Sequence, residues 1–309
     1  YLDRGGNFVD TANFYTGGSS EALLGRFMAG RRDRVVLATK YSLNLHPGDP
    51  NGGGNHRKSL VRGVEASLKR LATDHIDLMY LHIWDGTTPV DEVMRALDDL
   101  VRAGKLLYVG ISDTPAWQVA RMQTLAELRG WSPLIALQIE YSLVQRTVER
   151  DLVPMADALG LGVTAWSPLG MGVLAGKYRR DALAAGDRDA IGVTGTRQQV
   201  ALTHDMLSER NLAIADTVRD VAQQLGRSSA QVALAWLLQR PGCGVMPIVG
   251  ARTLAQFEDN LGALDVQLSQ DDQRRLDEAS AVPLGFPHDF MRLPVPRNNI
   301  FGGTTVRVV

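Results

Sequence analysis

Four ionisable side chains stand at the ends of three successive apolar runs: Asp10, closely followed by Tyr15, then Lys40, then His82. Each has an ordinary reading by itself. Asp10 could cap a helix, Tyr15 could lie on the surface, Lys40 could be solvated, and His82 could be a hydrogen-bonded core residue. Together they have a chemical use. A tyrosine hydroxyl is a weak acid at neutral pH, and a nearby lysine cation stabilises its phenolate. An aspartate on the neighbouring run would pair with that lysine, which is costly to desolvate alone. A histidine beside them could donate a hydrogen bond to a substrate oxygen. Such a group delivers a proton to an oxygen that is gaining negative charge, as carbonyl reduction requires when hydride arrives at carbon.

These residues must be held by regular elements. Seven short apolar runs recur along the chain, at Asn7–Ala12, Val35–Tyr41, Ile76–Ile83, Leu106–Ser112, Leu134–Ser142, Gly162–Pro168 and Val245–Ala251. Each is apolar along most of its length, the pattern of a strand covered on both faces. Helical periodicity fills the gaps at Ser59–Leu71, Val90–Val101, Pro115–Leu128 and, less regularly, Val148–Leu159. Gly104, Gly130 and Gly160 follow the last apolar turns as helix stops. Alternation of this kind predicts a parallel sheet with right-handed crossovers, hence an α/β fold of the (β/α)8 TIM-barrel class. In such a barrel the reactive groups sit at the C-terminal strand ends, where all four candidates fall. Tyr1–Gly6 reads as a helix end with its glycine stop, and the first barrel strand is expected before residue 1. The chain is expected to form one domain over 1–309, with a loop insertion at about 170–210 and a wrap-around C-terminal extension at about 269–309, one helix followed by a Pro/Gly/Asn-rich end, Pro287–Gly303.

Composition narrows the function. The chain has 309 residues, 45% hydrophobic and 22% charged, with 33 Lys and Arg against 34 Asp and Glu. That near-neutral balance gives no basic field for nucleic acid or an anionic membrane, and the Arg pairs at 31–32 and 179–180 read as solvated surface. A single cysteine, Cys243, excludes an internal disulfide, argues against the usual zinc sites, and reads as a small buried residue. No apolar run reaches the ~18–20 residues that span a bilayer and no secretory signal opens the chain, so a reducing, cytoplasmic setting is expected. Gly17-Gly18 and Gly52-Gly53-Gly54 are loops and not a dinucleotide-binding G-x-G-x-x-G turn. The Gly-rich loop after Lys40, with Tyr41, and Trp84 after His82, are candidates for the substrate side.

The segments Val9–Tyr15, Ala38–Lys40 and Leu81–His82 resemble the Asp–Tyr–Lys–His segments of the aldo-keto reductases, and the resemblance runs from Gly5 to about Ala263 in the same order. It implies NADP(H) as cofactor, a small carbonyl substrate, no bound metal, and a catalytic set of Tyr15, Asp10, Lys40 and His82. Ser112 and Gln138 then match the residues that hold the nicotinamide carboxamide, while Asp113 stands where the family has an asparagine. An ionised aspartate only accepts hydrogen bonds. Trp166 matches an aromatic ring that stacks on the nicotinamide. Ser167, Leu169, Gly172 and Lys177 match the segment over the pyrophosphate. Gly250, Arg252, Gln256 and Asn260 match the adenosine clamp, Arg252 having the fork suited to a 2′-phosphate.

Two other readings compete. The β subunits of voltage-gated potassium channels resemble the same family, hold the cofactor and act as partners or redox sensors. A metal-dependent barrel hydrolase would need more than one histidine at strand ends, and only His82 stands there. The natural substrate, the physiological direction and the oligomeric state are open at this level.

Overall fold

The computed structural model describes residues 1–178 and 206–304. The Arg179-Arg180 pair, and most of the insertion expected at about 170–210, lie outside the described residues. The chain divides into two compact units, the first comprising Tyr1–Glu140, Met155–Trp166 and Pro241–Ile248, the second Tyr141–Pro154, Ser167–Arg240 and Val249–Val309.

The first unit is built on a parallel sheet of β1 (Phe8–Asp10), β2 (Val36–Tyr41), β3 (Ile76–Leu81), β4 (Leu106–Ser112), β5 (Leu134–Glu140), β6 (Gly162–Trp166) and β7 (Val245–Pro247). The strands lie side by side in chain order, every neighbouring pair parallel. Crossovers include α1 (Ser19–Met28), α2 (Arg57–Leu71), α3 (Val90–Arg102) and α4 (Ala116–Arg129). This is the strand–helix repeat of the (β/α)8-barrel class, as the sequence predicted. The periodic stripes explain the packing: Leu60, Val64, Leu68 and Leu71 of α2 and Val93, Leu97 and Leu100 of α3 are buried. Gly130 caps α4 in the left-handed conformation, and Gly104 and Gly160 also have positive φ.

Register puts Lys40, Tyr80, Gly110 and Ala136 in one row and Ser112, Gln138 and Thr164 in the next. These residues share one sheet face, because side chains alternate along a strand. The sheet curls enough for that face to meet itself. Gln138 on β5 donates to Asp10 on β1 at 3.0 Å, and the hydroxyls of Tyr80 on β3 and Thr164 on β6 are 3.1 Å apart. Gly110 makes room for this: a Cβ there would stand 2.6 Å from the Tyr80 ring.

Four expectations change. Leu107 and Tyr108 on β4 are exposed, so that strand is covered on both faces only from Val109 onward. Arg32 is no loose surface charge: it donates to Asp77, His75 O, Val35 O and Thr73, knitting the start of β2 to the start of β3. Cys243 is only partly buried, in the turn before β7. The helical pattern at Val148–Leu159 breaks into a 3-10 turn, Thr147–Glu149, and α5 (Leu152–Ala158), with Pro154 near its start, where a missing N–H costs nothing.

The second unit contains α6 (Glu209–Leu225), α7 (Ser229–Leu238), α8 (Leu254–Leu261), α9 (Gln270–Ala279), α10 (His288–Arg292) and α11 (Pro294–Phe301). Ser208, Ser228, Thr253 and Ser269 cap the first four through their hydroxyls. Within it Trp236 is buried, with Tyr141 edge-on and the Arg146 and Arg240 guanidiniums over its ring. The Pro/Asn-rich end, beyond the one helix expected in this tail, forms α10 and α11. Pro294 opens α11 at a position that tolerates proline and Gly302 closes it in the left-handed conformation.

Candidate functional site

β1 ends at Asp10, and strand-like pairing continues as Thr11 N donates to Ala38 O and Asn13 N to Lys40 O. The chain then turns sharply. Tyr15 opens a short turn in which Thr16, Gly17 and Gly18 all take positive φ. Two glycines make that affordable and lift the Tyr15 ring over the strand ends. Behind it, Glu21 of α1 is fully buried, taking a hydroxyl from Thr39 and an ion pair from Arg70. That tie fixes α1, and with it the Tyr15 turn, against β2.

Lys40, on β2, has no exposed surface. Its ammonium donates to Asp10 Oδ2 at 2.5 Å, Thr11 O at 2.8 Å and Tyr15 Oη at 3.3 Å. All three of its donors are used. The Tyr15 oxygen therefore accepts from the cation, which leaves its own proton free to be given elsewhere. The other Asp10 oxygen accepts from Gln138, so Gln138 helps to hold this cluster. His82 follows β3, with its ring edge-on to Tyr15 at 5.9 Å between centroids. Burial, aided by the Lys40 charge, pushes the His82 imidazole down to about 4, so it is neutral at physiological pH. Its Nδ1 is buried without a partner among the described residues. The four residues picked out by type and spacing are thus brought together.

Further along the same face, Ser112 Oγ is buried and has no partner among the described residues, the kind of orphaned polar atom that a ligand satisfies. Trp166, at the end of β6, is half-buried, and its indole Nε1 donates to Asp113 Oδ1 at 3.1 Å. Asp113 itself has a φ of 38°, the left-handed region that is sparsely used by residues other than glycine. Burial raises its carboxyl above the usual range, and burial with the Asp113 charge raises Glu140, at the end of β5, to about 7. Nothing in the residue pattern singles out Glu140, and no charge role for Asp113 is legible from it. The departure from asparagine at 113 was the one available signal.

The substrate-side candidates separate. Trp84 stays partly exposed, and its backbone N–H donates to Asp113 O. Tyr41 does not reach the site. It is buried on the sheet face opposite Lys40, and its hydroxyl donates to Asn55 O. Adjacent strand residues face opposite ways, so both Lys40 and Tyr41 could not serve one pocket. The loops after β2 and β3 are stitched together instead. Ser42 Oγ both donates to Ile83 O and accepts from Ile83 N. Asn55 N donates to Asp85 Oδ2 while Asp85 N donates to Asn55 Oδ1. Burial pushes the Asp85 carboxyl up, but the backbone N–H groups of Thr88, Asn55 and Thr87 and the Thr88 hydroxyl outweigh it and hold the carboxyl down at about 2.

In the second unit, Ser167, Leu169, Gly172 and Lys177 lie in one tightly turned loop. Gly170 N donates to Ser167 O, Gly172 N to Leu169 O and Lys177 N to Gly172 O. Gly172 has a φ of 102°, and the Lys177 stem packs where a Cβ would be, 2.9 Å away. The Lys177 side chain is exposed. Gly250 and Arg252 are exposed before α8; Gln256 accepts from Arg252 N, and Asn260 is buried in that helix. The neighbouring Asp259 serves structure, holding the Ser228 hydroxyl and the Gln231 amide at the start of α7. Among the described residues no group of His, Cys, Asp and Glu could hold a metal ion, and no helix is long and apolar enough to cross a membrane.

Residues 1–281 match the aldo/keto reductase family. The chain is 37% identical over 300 residues to a norsolorinic acid reductase of Aspergillus flavus, covering 94% of this chain and 72% of that protein. It is 36% identical to an NADP(+) aryl-alcohol dehydrogenase of Phanerodontia chrysosporium, covering 93% of this chain and 76% of that one. It is 38% identical to the uncharacterised oxidoreductase YrpG of Bacillus subtilis, over 92% and 86% respectively. The fold, the strand-end cluster and these likenesses agree that the chain belongs to the aldo/keto reductase family.

Proposed function

We propose that this oxidoreductase uses NADPH to reduce an aldehyde or ketone to the alcohol, with Tyr15 as proton donor. The carrying observation is the Lys40 ammonium seated between Asp10 and the Tyr15 hydroxyl. Bound NADPH would supply hydride to the carbonyl carbon. Tyr15 gives its proton to the carbonyl oxygen, and Lys40 stabilises the phenolate that remains. Asp10, fixed by Gln138, holds Lys40 in place. Neutral His82 orients the carbonyl by a hydrogen bond. The cofactor fits the residues present: the orphaned Ser112 hydroxyl would meet the carboxamide, and Trp166 offers a flat ring pinned at its edge. In the second unit, the loop from Ser167 to Lys177 would hold the pyrophosphate. Arg252, with Gly250, Gln256 and Asn260, would take the adenosine 2′-phosphate. The NADP(+) and the aryl alcohol named for the Phanerodontia relative favour NADP and an aromatic carbonyl substrate. Trp84 beside His82 suits such a ring.

The test is oxidation of NADPH, followed by its absorbance, with para-nitrobenzaldehyde as substrate. Tyr15→Phe should lose orders of magnitude in kcat while still binding NADPH. Equal rates in the two proteins would remove Tyr15 from the reaction. Tight NADPH binding without turnover of any aromatic or aliphatic aldehyde would refute the reductase reading and favour a cofactor-dependent regulator.

A further inference from the structure

The edge of Trp166 is unusually acidic. Asp113 Oδ1 accepts the indole N–H at 3.1 Å, and Glu140 is the strand partner of Trp166 itself, directly across from it in the β5–β6 register. Among the described residues neither carboxylate forms an ion pair. The cation that does act on Asp113 electrostatically is Lys40, but its three donors are committed to Asp10, Thr11 and Tyr15. Next to Asp113 in sequence lies the Ser112 hydroxyl, buried and, among the described residues, without a partner. The two carboxylates feel one another, since the Asp113 charge contributes to raising Glu140 to about 7. Uncompensated negative charge beside a flat ring and an unused polar atom suits a cationic heteroaromatic ring more than a neutral one.

We propose that Asp113, backed by Glu140, makes this site bind the oxidised, cationic form of the nicotinamide more tightly than the reduced, neutral form. This rests on the placing of the nicotinamide against Trp166 in the proposed function. The two cofactor forms differ by one positive charge on the ring, so a carboxylate at its edge acts on one form only. Asparagine at the same position would accept the Trp166 hydrogen bond equally well but carry no charge. The aspartate therefore changes electrostatics without changing geometry. Its consequence is directional: stabilising the oxidised cofactor on the protein favours hydride donation and slows release of NADP⁺.

The experiment is a pair of binding titrations, of NADP⁺ and of NADPH, read by quenching of protein fluorescence, on the wild type, Asp113→Asn and Glu140→Gln. Asp113→Asn should weaken NADP⁺ on the order of tenfold, as expected for one partly screened charge at the ring edge. NADPH affinity should stay within about twofold, since its ring carries no charge for Asp113 to act on. Glu140→Gln should act in the same direction and more weakly, and it supplies the answer if Asp113→Asn fails to fold. Equal changes for both cofactor forms, or no change for either, would overturn the proposal while leaving the reductase reading intact. If the wild type binds neither form, both readings fall.

Discussion

Lys40→Met is the sharpest probe of the strand-end cluster, because it separates what the lysine does for chemistry from what it does for the fold. In the wild type the ammonium lies 3.3 Å from the Tyr15 oxygen. At an effective dielectric of about 20, that separation gives a phenolate roughly 5 kcal/mol of stabilisation. Tyr15 is 40% exposed, which calls for about half that value. The expected loss in kcat is then about 2–3 kcal/mol, or roughly two orders of magnitude. Asp10, no longer neutralised, would add repulsion in the same direction. The fold suffers separately. Asp10 is left as a buried carboxylate with Gln138 as its remaining side-chain partner, at a cost of about 3 kcal/mol. The double variant Lys40→Met/Asp10→Asn removes that stranded charge. Thermal melts should therefore show the single variant well below wild type and the double variant largely restored, while NADPH oxidation with para-nitrobenzaldehyde stays low in both. A Lys40→Met protein with near-normal kcat would refute the role given to the cation. A double variant as unstable as the single would refute the stranded charge as the cause.

Three further outcomes are expected. His82 has its folded pKa lowered from 6.5 to about 4, so the unfolded chain binds the proton more readily, and stability should fall as pH drops from 6.5 toward 4. That shift corresponds to about 3 kcal/mol, and urea melts of His82→Gln should show a flatter acid limb; an unchanged limb would mean that His82 is not desolvated. Gly110→Ala would press a methyl into the Tyr80 ring and part it from Thr164, costing about 1–3 kcal/mol in a calorimetric melt. Arg252→Ala removes an exposed guanidinium, so it should weaken NADPH by about tenfold or more and NAD(H) little, without lowering Tm; equal affinity for both cofactors before and after would place the 2′-phosphate elsewhere.

The sequence was most legible where one residue type has one physical use. Apolar runs and periodic stripes marked all seven strands and α2 to α4, because burial on a sheet and on a helix leaves different periods. The cluster of Asp10, Tyr15, Lys40 and His82 was legible from charge at the ends of apolar strands. Tyr41 was misjudged because aromatic character says nothing of which way a strand residue faces, and one position decides between pocket and core. Arg32 looked like surface because three of its four acceptors, Thr73, His75 O and Asp77, are remote in sequence. The acidic edge of Trp166 was hidden for the same reason: Asp113 follows the end of β4 while Glu140 and Trp166 end β5 and β6, and only the sheet makes them neighbours. The short helices of the Pro/Asn-rich end escaped because proline reads as a breaker unless its place in the first turn is known.

The paired bonds between Ser42 and Ile83 and between Asn55 and Asp85 bear on how this protein could be altered. They make residues 42–55 and 82–88 one inheritable part with two coding segments. A graft of either loop alone from a relative would arrive with donors and acceptors cut for a partner it left behind, and Lys40 and His82 stand at the two roots of that part. Exchange for a new substrate range should therefore move both segments in one step, and a library built on one of them would mostly sample disrupted versions of the other.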